Sequence, residues 1–130
     1  MITVYIKGLA KTTNPGPAAY GLIIYRNGQK LMEERGFYKE ICTQNEALYY
    51  SLRVAMQRLH IKGLEKEPIV VKSDCPMLVN QMLKILKANP NTHYYMEYKR
   101  ASKLLRFFSN IRFEHVGRWR NPADALAQKA

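Results

Sequence analysis

The sequence predicts an α/β domain in which a three-strand antiparallel meander is followed by helices that alternate with two further strands. Three observations lead to this prediction. Short β-branched and aromatic runs fill the first forty residues, a helix-start motif follows them, and the later apolar runs are separated by segments of helical spacing. The predicted element order is βββαβααβα. Because 130 residues suffice for one hydrophobic core, we expect a single domain over residues 1–130.

The amino-terminal third predicts three strands joined by turns. Residues 2–7 are β-branched and aromatic with period-two alternation, which is typical of a strand. Asn-Pro-Gly-Pro at residues 14–17 signals a turn, and residues 19–26 are an apolar strand. Asn27-Gly28 favours a two-residue hairpin turn before a third strand from about Gln29 to Tyr38. An antiparallel meander is therefore expected.

The middle of the chain predicts a helix and then a buried strand. Thr43-Gln44-Asn45-Glu46 follows the Ser/Thr-x-x-Glu pattern that caps a helix start, and Gly63 lies just beyond the expected end. The apolar stripe of this helix recurs at i, i+4, i+7, i+8 and i+11: Leu48, Leu52, Ala55, Met56 and Leu59. Residues 68–74 form a short apolar run with a polar end, which favours a buried parallel strand.

The last third predicts two helices, a strand and a final helix. Helical spacing covers Met77–Leu86, which Asn89-Pro90-Asn91 closes, and then Tyr94–Phe108. Ile111–Val116 alternates as a fifth strand. The last helix is expected to open with Asn121 as its capping residue, proline at its first position and an acid in its first turn.

Net charge is the first indication of function. The chain carries 21 Lys and Arg against 10 Asp and Glu, a formal charge of +11, so a polyanion is the natural partner. Between Lys84 and Arg120 the chain has nine basic residues and only two acidic ones, Glu97 and Glu114, which gives this region a net charge of +7. The alternative to a polyanion-binding surface is a generally basic surface with no particular function. Three of these residues form one helical stripe, either a phosphate track or a solvated face: Lys99, Lys103 and Arg106.

Apolar runs and cysteines exclude other classes of protein. The apolar runs are far too short to cross a membrane, and the start of the chain lacks the layout of a signal peptide. A soluble, cytoplasmic protein with no membrane partner is therefore expected. Cys42 and Cys75 are too few for a disulfide framework and lack metal-ligand spacing, so both are interpreted as reduced thiols. No cofactor is expected.

Four separated motifs give the chain a family resemblance. They are Asn-Pro-Gly-Pro after the first strand, Thr-x-Asn-Glu-Ala at the first helix, Lys-Ser-Asp at the end of the fourth strand, and Ala-Asp-Ala-Leu-Ala in the last helix. In this order the chain resembles the type 1 ribonuclease H family. The resemblance implies a ribonuclease H-like fold: a mixed five-strand sheet, three strands antiparallel and two parallel, flanked by helices. Strand four then lies beside strand one and parallel to it.

The resemblance also implies a site, which this chain alters. In the family, four carboxylates hold two metal ions that hydrolyse the RNA strand of an RNA–DNA hybrid. Lys7 and Leu48 stand at two of those positions, whereas Asp74 and Asp124 match the other two. An ammonium group cannot coordinate magnesium, and Glu46 lies about 200° around the helix from position 48, which suits a capping residue. We therefore expect neither catalytic residues nor a bound metal.

For the surviving acids, capping or an ion pair with Lys7 is the alternative to metal binding. Asp74 precedes a helix start and Asp124 lies in the first turn of a helix, so both suit capping or an ion pair with Lys7 as well as metal binding. The last motif is also one residue shorter than usual between its asparagine and Ala-Asp. Placed where the scissile phosphate would lie, Lys7 is a candidate fixed cation that holds the backbone without cutting it.

Short amides supply the second group of candidate binding residues. Asn14, Gly16, Gln44 and Asn45 match family positions that meet the backbone and minor groove of a hybrid or an RNA duplex. Amide side chains both donate to and accept from 2′-hydroxyls and base edges. Turn and cap chemistry is the alternative for Asn14 and Asn45.

The third group surrounds the single tryptophan. Arg118 and Arg120 flank Trp119, which combines phosphate contacts with a surface on which a base can stack. A buried loop anchor is the alternative for Trp119. The sequence thus predicts a nucleic-acid-binding pseudoenzyme whose partner is RNA, an RNA duplex or an RNA–DNA hybrid. A structural RNA-binding component of a ribonucleoprotein particle and a residual hybrid ribonuclease are the alternatives.

Overall fold

Five strands and four helices follow one another in the predicted order. A computed structural model describes all residues, 1–130. The strands are β1 (Ile2–Ala10), β2 (Gly16–Arg26), β3 (Gln29–Cys42), β4 (Ile69–Ser73) and β5 (Ile111–His115). The helices are α1 (Gln44–Ile61), α2 (Pro76–Met82), α3 (Tyr95–Leu104) and α4 (Ala123–Lys129), with short 3₁₀ turns at Leu105–Phe107 and Arg118–Arg120.

The sheet has the strand order β3-β2-β1-β4-β5. Strands β1, β2 and β3 pair antiparallel, whereas β4 is parallel to β1 and β5 is parallel to β4. The mixed five-strand sheet that the resemblance implied is therefore confirmed. Even-numbered residues of β1, such as Val4 and Ile6, are fully buried in one core cluster with residues of α1, such as Leu52 and Met56. The opposite face of β1 carries the odd-numbered side chains.

Helix α1 begins as the sequence predicts. The Thr43 hydroxyl accepts a hydrogen bond from the Glu46 amide at 3.1 Å, and the Glu46 carboxylate accepts one from the Thr43 amide at 3.0 Å. These two bonds satisfy amides that a helix start leaves without partners. The capping role expected of Glu46 is thus confirmed, and its carboxylate is engaged at the helix end.

Two glycines allow helices to approach the sheet closely. A Cβ added at Gly8 would lie 2.2 Å from the Leu48 amide nitrogen, and one added at Gly21 would lie 2.7 Å from the Ala123 carbonyl oxygen. No side chain fits at either distance. These contacts set the start of α1 against β1 on one face of the sheet and the start of α4 against β2 on the other.

Buried polar groups connect the helices. Glu97 of α3 accepts hydrogen bonds from Arg53 of α1 at 3.0 Å and from Arg100 at 2.9 Å, while only 3% of its side chain is exposed. The Tyr38 hydroxyl of β3 donates to the same carboxylate at 3.4 Å. Glu97 therefore ties α3 to α1 and to the meander, and its charge is already neutralised by arginine.

Several boundaries differ from the predicted ones. Strand β1 continues to Ala10 and β3 to Cys42, because both remain paired with β2. Helix α2 ends at Met82 instead of Leu86, since Lys84 adopts a left-handed conformation with φ of 64° that an α-helix does not accommodate. Helix α3 ends at Leu104 and continues as a 3₁₀ turn. None of the helices combines the length and apolar character that a bilayer crossing requires.

Candidate functional site

The Lys7 side chain lies between two carboxylates from different elements. Lys7 is on the central strand β1, opposite Gly21 of β2. Its Nζ atom donates to Asp74 Oδ2 at 2.8 Å and lies 3.3 Å from Asp124 Oδ1. The exposed fractions of these side chains are 9% for Lys7, 10% for Asp74 and 15% for Asp124. Strand β4 ends just before Asp74, and the first turn of α4 supplies Asp124, so three elements meet at one ammonium group.

Asp74 forms an ion pair with Lys7 and does not cap a helix. Cys75 is the capping residue of α2 and makes no side-chain cap, whereas the Asp74 carboxylate bonds to Lys7. Asp124 has further partners on its other oxygen. Gln128 Nε2 donates to Asp124 Oδ2 at 2.8 Å, and Arg118 Nε lies 3.8 Å from the same atom. The pair of acids is therefore held by cations and an amide.

Leu48 closes the site with an apolar side chain. It is buried in the first turns of α1, where α1 approaches β1 at Gly8. The donor set here is two carboxylates with an ammonium group between them, and the chain has no cluster of three or more His, Cys, Asp or Glu side chains that could hold a metal ion. These residues do not fit the two-metal arrangement of the family, which needs negative oxygen ligands on both ions.

A cavity of about 440 Å³ opens over this ion pair. Side chains from β1, α1, the start of α2 and the turn before α4 line it, among them Lys7, Gln44, Asn45, Leu48, Asp74 and Arg118. A second cavity of about 390 Å³ shares Asn45 and continues past Asn14 to residues 91–94. The two cavities thus follow one polar path along the start of α1.

The amide side chains lie along this path with unequal freedom. Asn14 Oδ1 accepts a hydrogen bond from the Gln44 backbone amide at 3.0 Å, and Gln44 Oε1 accepts one from the Ala10 backbone amide at 3.2 Å. Both side-chain oxygens are therefore used in hydrogen bonds within the protein. Asn45 makes no side-chain hydrogen bond and lines both cavities. Gly16 is buried, and a Cβ there would lie 2.3 Å from the Thr13 hydroxyl. Among these four, Asn45 has its polar groups free.

The Arg118–Arg120 turn presents its side chains to solvent. Trp119 is 93% exposed, so the alternative of a buried loop anchor is wrong. The Arg118 guanidinium lies 5.7 Å from the centre of the Trp119 ring, within cation–π range. Arg118 also lines the cavity over Lys7. The turn therefore joins the cavity to an exposed aromatic surface.

The predicted basic stripe is exposed as well. Lys99 and Lys103 project from α3, and Arg106 follows in the adjoining 3₁₀ turn. None of the three forms an ion pair with an acid, because Glu97, the one acid on α3, is buried against arginines. This stripe is therefore a row of unpaired positive charges.

Some residues of the path were not predicted from the sequence. Cys75 and Pro76 line the first cavity, and Asn91, Thr92 and His93 line the second. The loop between α2 and α3 brings the second group to the start of α1. Nothing in the local sequence indicates that approach, although Asn89-Pro90-Asn91 does predict the loop itself.

Comparisons with known proteins agree with this architecture. The sequence profile of the family described as reverse transcriptase-like matches residues 6–130. Ribonuclease H1 of Halobacterium salinarum is 28% identical with a TM-score of 0.88, and the match covers 99% of this chain and 96% of that one. LC11-RNase H1, solved in complex with an RNA/DNA hybrid, is 27% identical with a TM-score of 0.90 over 100% and 96% of the two chains. The amino-terminal RNase H domain of a Mycobacterium tuberculosis protein, solved as a maltose-binding-protein fusion, is 28% identical with a TM-score of 0.89 over 99% and 91%.

These matches define the class of the protein. No curated protein sequence matches the chain. The family profile and the solved structures nevertheless cover almost its whole length, and the four motifs lie on the elements that the resemblance assigned to them. The chain therefore belongs to the reverse transcriptase-like family and has the type 1 ribonuclease H fold.

Proposed function

We propose that the chain binds RNA-containing duplexes through its phosphate backbone and does not cleave them with metal ions. The observation behind this proposal is the Lys7 ammonium group, which lies 2.8 Å from Asp74 and 3.3 Å from Asp124. Lys7, Asp74 and Asp124 together carry a formal charge of −1, whereas four carboxylates would carry −4. Because the ammonium group neutralises one of the two carboxylate charges and lies between them, the site has little attraction for divalent cations.

Support for binding comes from the surface that surrounds this site. A duplex laid along the start of α1 would meet Asn45 in both cavities and Arg118 and Arg120 at one end. The exposed stripe on α3 adds positive charge without acidic partners. LC11-RNase H1, which has the same fold, was solved with an RNA/DNA hybrid bound. Lys7 lines the cavity but is engaged by Asp74 and Asp124, so Arg118, which lines the same cavity and is exposed, is the cation that we expect to meet a backbone phosphate.

A titration of four ligands at several salt concentrations tests the proposal. Duplex RNA, RNA–DNA hybrid, duplex DNA and single-stranded RNA of equal length are compared by fluorescence anisotropy. If about five phosphates are neutralised, the slope of log affinity against log salt is expected near −4 to −5. Duplexes that contain RNA should bind more tightly than duplex DNA. An affinity that does not change with salt contradicts the proposal.

Matched variants locate the surface. Arg118→Ala and Arg120→Ala should weaken all ligands about equally, because both side chains are placed to meet phosphates. Asn45→Ala should narrow the preference for RNA and leave the salt slope nearly unchanged, because it removes a partner of the 2′-hydroxyl. Lys62→Ala, at the far end of α1, is the matched control and should bind like the parent protein.

A residual hybrid ribonuclease is the second candidate, favoured by the retention of both Asp74 and Asp124 beside the cavity. Incubation of the purified protein with a labelled RNA–DNA hybrid and magnesium or manganese separates the two functions. The pseudoenzyme predicts no cleavage. Metal-dependent cleavage that Asp74→Asn abolishes would establish the ribonuclease. Co-sedimentation of the protein with large RNA particles would instead favour the structural role in a ribonucleoprotein.

A further inference from the structure

The face of the sheet that carries α4 is only partly covered. Helix α4 packs over the level of Lys7 and Gly21, where Lys7 meets Asp124. Toward the beginning of β1 the odd-numbered side chains of the same face remain half-exposed. A cleft of about 280 Å³ opens there, lined by Thr3, Tyr5, Tyr25, Gly28, Lys72 and Pro122. None of these residues belongs to the duplex-binding path.

The cleft has aromatic walls. Tyr5 of β1 and Tyr25 of β2 pack edge to face, with ring centres 5.9 Å apart. Thr3 is the direct cross-strand partner of Tyr25. Two aromatic rings that belong to adjacent central strands form a rigid platform, because the sheet fixes their spacing. Aromatic side chains held in this way on an open sheet face are suited to stacking with nucleobases.

Lys72 supplies the cation of the cleft. It is the parallel-strand partner of Tyr5, and its Nζ atom lies 5.9 Å from the Tyr5 ring centre. Lys72 makes neither an ion pair nor a hydrogen bond, although Glu114 is its neighbour on β5. The Glu114 carboxylate accepts instead from Arg112, at 3.1 Å.

Two acids of the neighbouring segments are also engaged. Glu67 pairs with Arg26 at 2.5 Å, and Glu33 pairs with Lys30 at 2.7 Å. Glu33, Glu67 and Glu114 thus each have a basic partner, whereas Lys72 has no acidic partner. A free cation beside two aromatic rings matches an anion that carries an aromatic group, and the chain's formal charge of +11 favours a polyanion.

We propose that this cleft binds one nucleotide of a single-stranded nucleic acid, with the base against Tyr5 and Tyr25 and the phosphate at Lys72. Its volume approaches the lower limit of small-ligand pockets, about 300 Å³, which suits one nucleotide. Tyr5 and Lys72 each lie two residues before a member of the ion pair, about 7 Å along the strand. The cleft and the duplex path therefore lie on either side of the Asn121–Ala123 junction, and a strand leaving the duplex path has a second contact within reach.

Chemical-shift mapping with mononucleotides tests this proposal. The ¹⁵N-labelled protein is titrated with adenosine monophosphate, with adenosine, and with ribose 5-phosphate. The monophosphate should shift the amides of Tyr5, Tyr25 and Lys72 saturably, and the two fragments should bind several-fold more weakly because each lacks one contact. Ribose 5-phosphate binding as tightly as the monophosphate would overturn the proposal, since the rings would then contribute nothing. The absence of saturable shifts at the cleft would overturn it too.

Variants separate the cleft from the duplex path. Lys72→Gln should weaken binding of a labelled ten-residue oligouridine by at least about fivefold, and Tyr25→Ala by roughly 5- to 150-fold if a base stacks there. Lys62→Gln is the matched control. Duplex RNA binding should be unchanged in Lys72→Gln, so failure here leaves the proposed function untouched. Equal single-strand affinity for Lys72→Gln and Lys62→Gln would refute the cleft site, as would concentration-dependent shifts without nucleotide, which indicate a second copy as its occupant.

Discussion

Replacement of Lys7 by methionine removes the cation between Asp74 and Asp124 while keeping a side chain of similar length. Removal of one partner of a buried ion pair costs about 3–5 kcal/mol, because the remaining charge stays desolvated. Two carboxylates lose their partner here, but their side chains are 10% and 15% exposed, so water reaches them in part. We expect a loss near the lower limit, about 3 kcal/mol.

Urea unfolding followed by circular dichroism measures this loss. With a slope of about 2 kcal/mol per molar urea, the midpoint should fall by roughly 1.5 M. Lys62→Met, at an exposed position, is the control and should change the midpoint little. The triple variant Lys7→Met, Asp74→Asn, Asp124→Asn should recover at least half of the loss, since neutral amides carry no unpaired charge. A loss below about 1 kcal/mol for Lys7→Met, or no recovery in the triple variant, would refute the buried ion pair.

Three further predictions concern the frame around the site. Gly8→Ala should lower the free energy of unfolding by about 3 kcal/mol, because a Cβ would lie 2.2 Å from the backbone of α1. Gly117→Ala is the control and should leave the free energy of unfolding unchanged, since a Cβ there meets open space. Equal losses of stability for the two variants in thermal unfolding would contradict the close approach of α1. Glu97→Gln should cost about 2–3 kcal/mol because it removes a buried charge from its arginine partners, and an unchanged urea midpoint would show that the ion pairs are not needed. Burial raises the pKa of Tyr20 above its usual value of 10.0, and the hydrogen bond that its hydroxyl donates to Glu34 raises this pKa further. The unfolded state therefore loses this proton first, so the free energy of unfolding should keep the full contribution of Tyr20 below about pH 10 and lose it as the pH rises further. Tyr20→Phe should reduce the loss of stability measured between pH 9 and pH 11. A parent protein that is equally stable at pH 9 and pH 11 would contradict this prediction.

Local chemistry accounts for the elements that were predicted correctly. Asn27 and Gly28 have φ of 51° and 83°, the positive values that a two-residue hairpin turn requires and that these two residues accept readily. The reciprocal bonds of Thr43 and Glu46 likewise depend on residues three apart. Signals of this kind are complete within a few residues, so the sequence alone is enough to find them.

Boundaries set by distant contacts were predicted less well. The apolar spacing of Met77–Leu86 continues past the true end of α2, yet Leu83, Ile85 and Leu86 are exposed. Their amides do not continue the helix: the Ile85 and Leu86 amides both donate to the Asn80 carbonyl. Helical periodicity predicts a buried face only where another element covers that face, and the apolar side chains of this segment stay largely exposed.

The candidate site was predictable where strand adjacency decided it. Lys7 and Asp74 meet because β1 and β4 are parallel neighbours, which the family resemblance implied. The approach of Arg118 to Asp124 and the wall formed by residues 91–93 depend on the paths of loops. Loop paths are set by long-range packing, for which the sequence carries no periodic signal.

Contacts that do not involve the side chains at positions 7 and 48 hold α1 and α4 against the sheet at the site. The missing Cβ at Gly8 lets α1 approach β1 closely, and the missing Cβ at Gly21 lets α4 approach β2 closely. Asn121 secures the α4 junction: its Nδ2 donates to the Ile6 carbonyl at 3.0 Å, and its Oδ1 accepts from the Ala123 amide at 3.1 Å. None of these contacts uses the carboxylates of Asp74 or Asp124, so an ammonium group can lie between the acids while the polar path along α1 keeps its position. The proposed function therefore predicts that the side chain at position 7 decides whether the site can cleave and leaves the surface proposed for duplex binding in place.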